Sequence, residues 1–304
     1  MPRQASPPSA APAVGRIIDV EIDLAWADGL LALPDDRPPA SAVLVLSGSS
    51  GRIERERARL LARNGSAALT FRWFGGAGQP PGVCEVPLET FLPALDQLAD
   101  LSDRVIVLGV SKSAEAGLLL AARDPRITSV VGLAPTSVVW ANVGPGLDGR
   151  ERPQRSSWTW HGRPLPFVPY DDSWEPDGDP PRFRGSYEQS LRVAGTAADA
   201  ARIPVEAITA DVLLTAGGDD QVWPSLDYAR TIADRRSAAG GTTRIITSPD
   251  AGHRLILPGE LVATGGLRLA RGGSEVADRA LGAQLWPHLL ALLDPAATVR
   301  LLLP

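Results

Sequence analysis

Three residues of this chain could together carry out nucleophilic acyl transfer: Ser111, Asp220 and His253. A serine hydroxyl attacks a carbonyl carbon well only when a histidine within about 3 Å accepts its proton. An aspartate beside that histidine fixes the tautomer of the ring and stabilises the cation that forms. Ser111 is therefore the candidate nucleophile, His253 the candidate base and Asp220 the candidate acid.

The residues around Ser111 predict a sharp turn between a strand and a helix. Residues 104–108 (R-V-I-V-L) predict the strand, and residues 114–123 predict the helix. In a nucleophile elbow, small flanking residues let the chain turn so that the serine hydroxyl projects out of the fold, and the helix N-terminus favours developing negative charge. Residues 109–113 (G-V-S-K-S) follow the usual G-x-S-x-G pattern except that Ser113 replaces the second glycine. Serine is small enough to fit there.

The candidate acid follows a later predicted strand. Asp220 stands three residues after Gly217 and four before Pro224, where the next helix is expected to begin. Asp219 is the alternative acid. Both carboxylates could instead cap that helix, because aspartate commonly accepts hydrogen bonds from the first N–H groups of a helix.

The candidate base lies on a loop after the last predicted strand, which ends near residue 246. His288 is placed inside the final predicted helix and His161 inside an aromatic-rich stretch, so neither fits this role as well as His253. The order serine, aspartate, histidine along the chain is the order of the α/β-hydrolase fold.

A tetrahedral intermediate on the serine needs hydrogen-bond donors aimed at its oxyanion. The backbone N–H of Lys112, which follows the nucleophile and is the chain's only lysine, is one predicted donor. The second is expected from the loop at 47–51, which follows the predicted strand at 43–46, most plausibly near Ser49. Alternatively, Ser49 serves only to form the turn and is not an oxyanion donor.

The order of elements predicts an α/β-hydrolase fold. A predicted hairpin at 16–24 and 30–33, with its turn at Asp28-Gly29, comes first. From residue 42 onward strands alternate with helices, which indicates a mostly parallel central sheet with helices on both faces. We expect residues 1–15 to form a flexible tail and residues 16–304 to form a single domain.

The stretch 135–186 does not follow the alternation of strands and helices. It carries four of the eight tryptophans among many prolines and glycines, and long irregular segments inside a domain are usually functional or disordered. We interpret it as an aromatic-rich lid over the substrate; the alternative is a structural wrap over the sheet. Four aromatic residues in it are the candidate substrate-binding residues: Trp140, Trp158, Trp160 and Phe167.

Composition excludes several classes of function. A net charge of −5 without a basic stripe argues against a nucleic-acid partner. No apolar run reaches the roughly 18 residues of a membrane span, and residues 1–14 lack the apolar block of a secretory signal, so a cytoplasmic location is expected. The single cysteine, Cys84, excludes an internal disulfide, and with three histidines a metal site is improbable. We predict neither a metal nor a cofactor.

Several segments are similar to one family of acyl-transfer proteins. Residues 109–120 (G-V-S-K-S-A-E-A-G-L-L-L) resemble the elbow of the acyl-CoA thioesterase and bile-acid-CoA:amino-acid N-acyltransferase C-terminal domain, which reads G-x-S/C-K-G-A-E. The resemblance covers roughly residues 40 to 295 and is to single-domain bacterial members. The other matching segments are 74–98 with its P-L-E-T-F-L-P-A-L core, 135–140, 155–160, 165–169, 217–225 and 252–253.

The resemblance implies a dienelactone-hydrolase-like fold with Ser111 as nucleophile, Asp220 as acid and His253 as base. It implies hydrolysis of a small-molecule acyl thioester (an acyl-CoA or a carrier-bound acyl group) through an acyl-serine. The N-acyltransferases use cysteine as nucleophile, so a serine favours hydrolysis over transfer to an amine. The alternatives are a carboxylesterase or dienelactone-type hydrolase, an acyl-CoA:amine N-acyltransferase, and a binding module silenced by Ser113. Four arginines near the aromatic stretch could meet the phosphates of CoA or form a solvated loop: Arg150, Arg152, Arg155 and Arg163.

Overall fold

Strands and helices alternate along most of the chain in the computed structural model, which describes residues 15–24, 27–262 and 266–296. Of the predicted tail, residues 1–14 lie outside the described residues, so the tail and the single domain stay predictions. The strands are β1 Ile17–Leu24, β2 Ala27–Pro34, β3 Ser41–Leu46, β4 Ser66–Phe71, β5 Val86–Pro87, β6 Val105–Val110, β7 Ile127–Leu133, β8 Trp158–Trp160, β9 Arg163–Pro164, β10 Asp211–Gly217 and β11 Thr243–Ser248.

Helices lie between most of these strands, and the helix at Lys112–Ala121 covers most of the one predicted at 114–123. They are α1 Arg55–Arg63, α2 Leu92–Ala99, α3 Lys112–Ala121, α4 Arg184–Ala194, α5 Thr196–Ala200, α6 Ser225–Ala238 and α7 Glu275–Leu293, with short 3₁₀ turns at Leu88–Phe91 and Val205–Ala207. No helix in the described ranges is long and apolar enough to cross a bilayer.

Eight strands form one sheet in the order β1-β2-β4-β3-β6-β7-β10-β11. β1 pairs antiparallel with β2, and β2 with β4, whereas all other neighbours are parallel. The mostly parallel sheet predicted from the sequence is confirmed. Because β3, β6, β10 and β11 run the same way, the loops after them meet at one edge of the sheet.

Alternating side chains of the buried strands enter two apolar cores, as the period of two in a strand requires. Leu44 and Leu46 of β3 pack on the side covered by α2, α3 and α6. Val43 and Val45 pack on the side covered by α1 and α7. Helices therefore protect both faces, and every residue of β3 is buried.

The position of the first turn differs from the prediction. Asp28 pairs with Asp23 and Gly29 with Ile22, so the expected turn residues lie inside β2, and residues 25–26 lie outside the described residues. Gly29 has a packing reason instead: a Cβ on it would lie 2.9 Å from the carbonyl oxygen of Thr70 on β4. Two strand backbones approach closely there.

The aromatic-rich insertion folds against the core and contributes β8 and β9, which join β5 in a second sheet. Trp158 stacks on Trp73 with ring centroids 5.4 Å apart, and Trp140 stacks on Tyr170 at 6.0 Å. Aromatic pairs at such distances stabilise a fold beyond the area that they bury. The insertion is therefore packed into the molecule through its tryptophans.

A buried ion pair connects this insertion to the helix after Ser111. Lys112 Nζ lies 2.9 Å from Glu115 Oε2, and the two side chains are 1% and 0% exposed. Glu115 Oε1 also accepts hydrogen bonds from Trp158 Nε1 at 2.8 Å and from the backbone N–H of Trp140 at 3.2 Å. Burial lowers the pKa of Lys112 and raises the pKa of Glu115. The first turn of α3 is thereby fixed to two tryptophans.

Candidate active site

Ser111 lies in a strained turn between β6 and α3. Its backbone has φ +56° and ψ −118°, and a positive φ is costly for any residue with a Cβ. The turn is held by the N–H of Ser111, which donates to the carbonyl oxygen of Leu133 on β7 at 2.8 Å. A strained serine between a central strand and a helix has the geometry of a nucleophile elbow.

The residues two before and two after Ser111 make this turn possible. A Cβ on Gly109 would lie 2.2 Å from the carbonyl oxygen of Ser113, so only glycine fits there. Ser113 is fully buried, and its hydroxyl accepts from the N–H of Val110 at 2.7 Å and donates to the carbonyl oxygen of Leu46 at 2.9 Å. The serine that replaces the usual glycine therefore ties the elbow to β3.

Replacing Ser113 by alanine is expected to lower the free energy of unfolding by about 1–3 kcal/mol, because a buried N–H and a buried carbonyl lose their partner. Urea denaturation followed by circular dichroism measures the change. Ser102→Ala is the control, since the Ser102 hydroxyl accepts an exposed hydrogen bond from the backbone N–H of Arg104, and a change within about 0.5 kcal/mol is expected there. Equal losses in the two variants would contradict this role for Ser113.

Asp220 and His253 are in direct contact. His253 Nδ1 lies 2.8 Å from Asp220 Oδ2, and the side chains are 9% and 0% exposed. Asp220 Oδ1 accepts from the backbone N–H groups of Val222 at 2.9 Å and Trp223 at 3.2 Å, and Oδ2 accepts from the Ser225 hydroxyl at 2.6 Å. The carboxylate thus holds the turn that precedes α6, which has no side-chain cap, and also faces the histidine.

The carboxylate of Asp219 bonds to other residues than His253. Its carboxylate accepts from the side-chain amide of Gln221 at 2.6 Å and from the backbone N–H of Gly273 at 2.8 Å. Of the two adjacent aspartates that the sequence offered, Asp220 is the one bonded to His253.

Two backbone hydrogen bonds hold the loop that carries His253. The backbone N–H of His253 donates to the carbonyl oxygen of Arg271 at 2.9 Å, and that of Gly252 donates to Asp278 Oδ1 at 2.8 Å. Burial raises the pKa of Asp278, which lies in the first turn of α7. Trp223 packs edge-on against the imidazole with ring centroids 5.7 Å apart. These contacts fix the position of the ring.

Ser111 and His253 line the same cavity, which has a volume of about 810 Å³. No hydrogen bond joins the Ser111 hydroxyl to the His253 ring in the described part of the chain. Such bonds are often long in free enzymes and tighten when substrate binds. The fold thus brings all three predicted residues to one edge of the sheet, with Asp220 behind His253 and Ser111 on the same cavity.

The two predicted oxyanion positions adjoin Ser111. Gly48 and Ser49 line the cavity, and a Cβ on Gly48 would lie 3.3 Å from the Cβ of Ser111, so the loop after β3 runs against the elbow. Lys112 follows Ser111 at the start of α3, and its side chain turns into the core toward Glu115. Only the backbone of Lys112 is therefore available to a substrate. The oxyanion role of both residues stays a prediction.

The four predicted aromatic contacts do not line this cavity. Trp140 and Trp158 are completely buried, and Trp160 and Phe167 are partly buried against the core. The described residues of 135–186 contribute nothing to the cavity wall, so substrate binding by these aromatics stays a prediction without support from the cavity.

Two other segments form most of the cavity wall. One is the described part of 253–278, with Leu255, Ile256, Leu261, Leu267 and Leu269 among its apolar residues, and the other is the stretch 48–57. Sequence reasoning missed the first segment. The sequence feature that could have indicated this segment is a run of leucines directly after the candidate base, which has neither helical nor strand periodicity. In the described ranges no group of three or more histidine, cysteine or acidic residues could hold a metal ion.

A family model described as "BAAT / Acyl-CoA thioester hydrolase C terminal" matches residues 88–260. Acyl-coenzyme A amino acid N-acyltransferase 2 of Rattus norvegicus is 26% identical over 240 residues, which are 76% of this chain and 52% of that protein. Acyl-coenzyme A thioesterase 6 of Homo sapiens is 27% identical over 238 residues, 73% of this chain and 51% of that protein. The chain spans about half the length of these relatives.

Solved structures show the same fold at low sequence identity. A candidate dienelactone hydrolase of Klebsiella pneumoniae superposes with a TM-score of 0.56 at 17% identity, covering 91% of this chain and 98% of that one. The dienelactone hydrolase-like promiscuous phosphotriesterase P91 from metagenomic libraries gives 0.52 at 18% identity, covering 92% and 96%. The fold is a dienelactone-hydrolase-like α/β-hydrolase fold, as the sequence predicted.

Proposed function

Since this chain belongs to the BAAT / acyl-CoA thioester hydrolase C-terminal family, we propose that it is a serine hydrolase that cleaves small-molecule acyl thioesters through an acyl-serine at Ser111. One observation carries the proposal: a serine in a strained turn shares a cavity with a histidine that is bonded to a buried aspartate. This is the arrangement that nucleophilic acyl transfer requires.

In the first half of the reaction, Ser111 Oγ attacks the thioester carbonyl carbon while His253 Nε2 takes the hydroxyl proton. Asp220 holds Nδ1–H and stabilises the imidazolium. The oxyanion accepts hydrogen bonds from the backbone N–H of Lys112 and from the loop at Ser49. The carbon–sulfur bond then breaks, and His253 returns the proton to the departing thiolate.

In the second half, water attacks the acyl-serine and His253 takes a proton from that water. The new tetrahedral intermediate collapses, the carboxylic acid leaves, and the proton returns to Ser111 Oγ. The net reaction is thioester plus water to acid plus thiol. A serine ester is attacked readily by activated water, which favours hydrolysis over transfer to an amine.

Acid quenching of the protein milliseconds after mixing with an acyl-CoA tests the proposal. The intact mass is expected to rise by one acyl group, the peptide containing Ser111 is expected to carry it, and free thiol is expected to appear with turnover. A fluorophosphonate should label the same serine. Absence of both modifications would contradict the proposal.

Matched substrates separate the neighbouring reactions. Cleavage of the oxygen ester but not of the thioester of one acyl chain would indicate a carboxylesterase or dienelactone-type hydrolase. Acylglycine exceeding free acid when glycine is present would indicate an N-acyltransferase, the activity named for the rat relative.

A further inference from the structure

Five arginines line the described cavity beside Ser111, and three of them, which take no part in the acyl-transfer steps, lie close enough for their charges to act on one another. These three are Arg52, Arg254 and Arg271, called the arginine cluster below. Arg254 directly follows His253, and the carbonyl oxygen of Arg271 accepts the hydrogen bond from the backbone of His253. The cluster is therefore part of the same structure that positions the candidate base.

The guanidinium groups of Arg254 and Arg271 converge on one point. At Gly266, whose φ is +89°, a Cβ would lie 3.3 Å from Arg254 Nη2 and 3.5 Å from Arg271 Nη2. Arg271 is held there by donation to the carbonyl oxygens of Leu267 at 2.9 Å and Leu269 at 3.4 Å. Each guanidinium carries several N–H donors in a planar fork, so these two bonds occupy only some of the N–H donors of Arg271.

Burial, and then the charges of Arg271 and Arg52, lower the pKa of Arg254 to about 10, while Glu54 opposes the shift. The group remains a cation at neutral pH, so like charges are kept close together at the edge of a partly desolvated cavity. An anion placed among them would relieve that repulsion.

The acidic side chains on the same wall have partners of their own. Glu54 is the acid nearest the cluster, and it pairs with Arg52 at 2.8 Å. The others pair as follows: Glu260 with Arg57, Glu56 with Arg59, Glu275 with Arg279, and Asp278 with the backbone N–H of Gly252.

We propose that the arginine cluster binds an anionic group, a carboxylate or a phosphate, on the substrate that Ser111 attacks. The inference rests on the proposed function, because it assigns a recognition element to the same cavity. Arginine suits this role, since its planar fork matches both carboxylate and phosphate oxygens.

The anion can come from either side of the thioester. The thiol portion of CoA carries phosphates, and an acyl chain can end in a carboxylate. The arginines that the sequence suggested for phosphates do not line this cavity. Arg155, for example, makes a two-pronged ion pair with Glu85 at 2.9 and 2.7 Å.

Three thioethers of matched length test the proposal by isothermal titration calorimetry of the whole chain: S-pentyl-pantetheine, S-(4-carboxybutyl)-pantetheine and S-pentyl-coenzyme A. The first is neutral, the second carries a carboxylate on the acyl side, and the third carries phosphates on the thiol side. A thioether cannot be hydrolysed by this chemistry, so binding is measured independently of catalysis.

At least one charged compound is expected to bind about tenfold or more tightly than the neutral one, as for hydrogen bonds to an ionised group. In Arg254→Gln and Arg271→Gln that ratio is expected to fall below about threefold. Arg192→Gln, at an exposed position on α4 outside the cavity, is the matched control and should keep the wild-type ratio. Circular dichroism and thermal melting check that each variant is folded.

Equal binding of the three compounds would overturn the inference, as would a preference that survives in both cavity variants. A gain with the carboxylate compound assigns the anion to the acyl chain, and a gain with the coenzyme A compound assigns it to the thiol. Selective binding without thioester cleavage would refute only the proposed function. Thioester cleavage with no preference among the thioethers would refute only the arginine inference.

Discussion

Replacing Ser111 by alanine is expected to lower kcat for a thioester roughly 10⁵- to 10⁶-fold, the range that loss of a serine nucleophile produces. The residual rate would come from the oxyanion donors and from substrate binding. Alanine and serine both have a Cβ at the strained φ of +56°, so the substitution adds no new backbone strain. The fold and the binding of the thioethers should therefore survive.

Release of free thiol from an acyl-CoA measures this change, with fluorophosphonate labelling as the second readout. Ser237→Ala, at an exposed position of α6, is the control and should match wild type. If Ser111→Ala kept more than about one thousandth of the wild-type rate, well above the residual expected, the covalent step would have to occur at another residue.

Replacing Lys112 by methionine is expected to lower the free energy of unfolding by about 3–5 kcal/mol, the usual consequence of removing one partner of a buried ion pair. Glu115 would keep its bonds to the two tryptophans but lose its counter-ion inside the core. Urea denaturation at neutral pH measures the loss.

The loss should also depend on pH in a definite direction. Burial raises the pKa of Glu115 in the folded chain, so the folded variant holds a proton at pH values where the unfolded chain has released it. Stability of Lys112→Met should therefore fall as pH rises from the ordinary glutamate range toward neutrality, and the deficit should shrink on acidification.

Two controls separate charge from packing. Arg279→Met removes a similar contact between exposed side chains, 2.8 Å from Glu275, and should cost less than about 1 kcal/mol. Lys112→Met combined with Glu115→Gln removes both charges, keeps an oxygen that can accept from the two tryptophans, and should recover part of the loss. If the double variant were as unstable as the single one, side-chain packing and not charge would account for the stability lost on replacing Lys112.

The sheet and the elbow could be predicted because each follows from local pattern. The apolar runs in β3 and β6 are typical of a parallel sheet covered on both faces, and the small residues on either side of Ser111 allow a sharp turn. Helix α7, which begins at Glu275 and ends at Leu293, contains His288, as expected for the final helix.

The choice between Asp219 and Asp220 could not be made locally. Both stand in the same turn before α6, and only the approach of the loop after β11 shows which one meets His253. The wall of the cavity was unpredictable for a similar reason. Tryptophan content indicates burial but not which side of the sheet is covered, and the leucines after His253 have no period that reveals their direction.

The burial of Lys112 has a practical consequence for handling the protein. The chain's single lysine side chain is 1% exposed and paired inside the core, so amine-directed reagents such as succinimidyl esters cannot reach it while the chain is folded. The amount of label on Lys112 would therefore measure the fraction of molecules that have opened. Mass spectrometry of one peptide would then follow the opening rate without an introduced dye or tag.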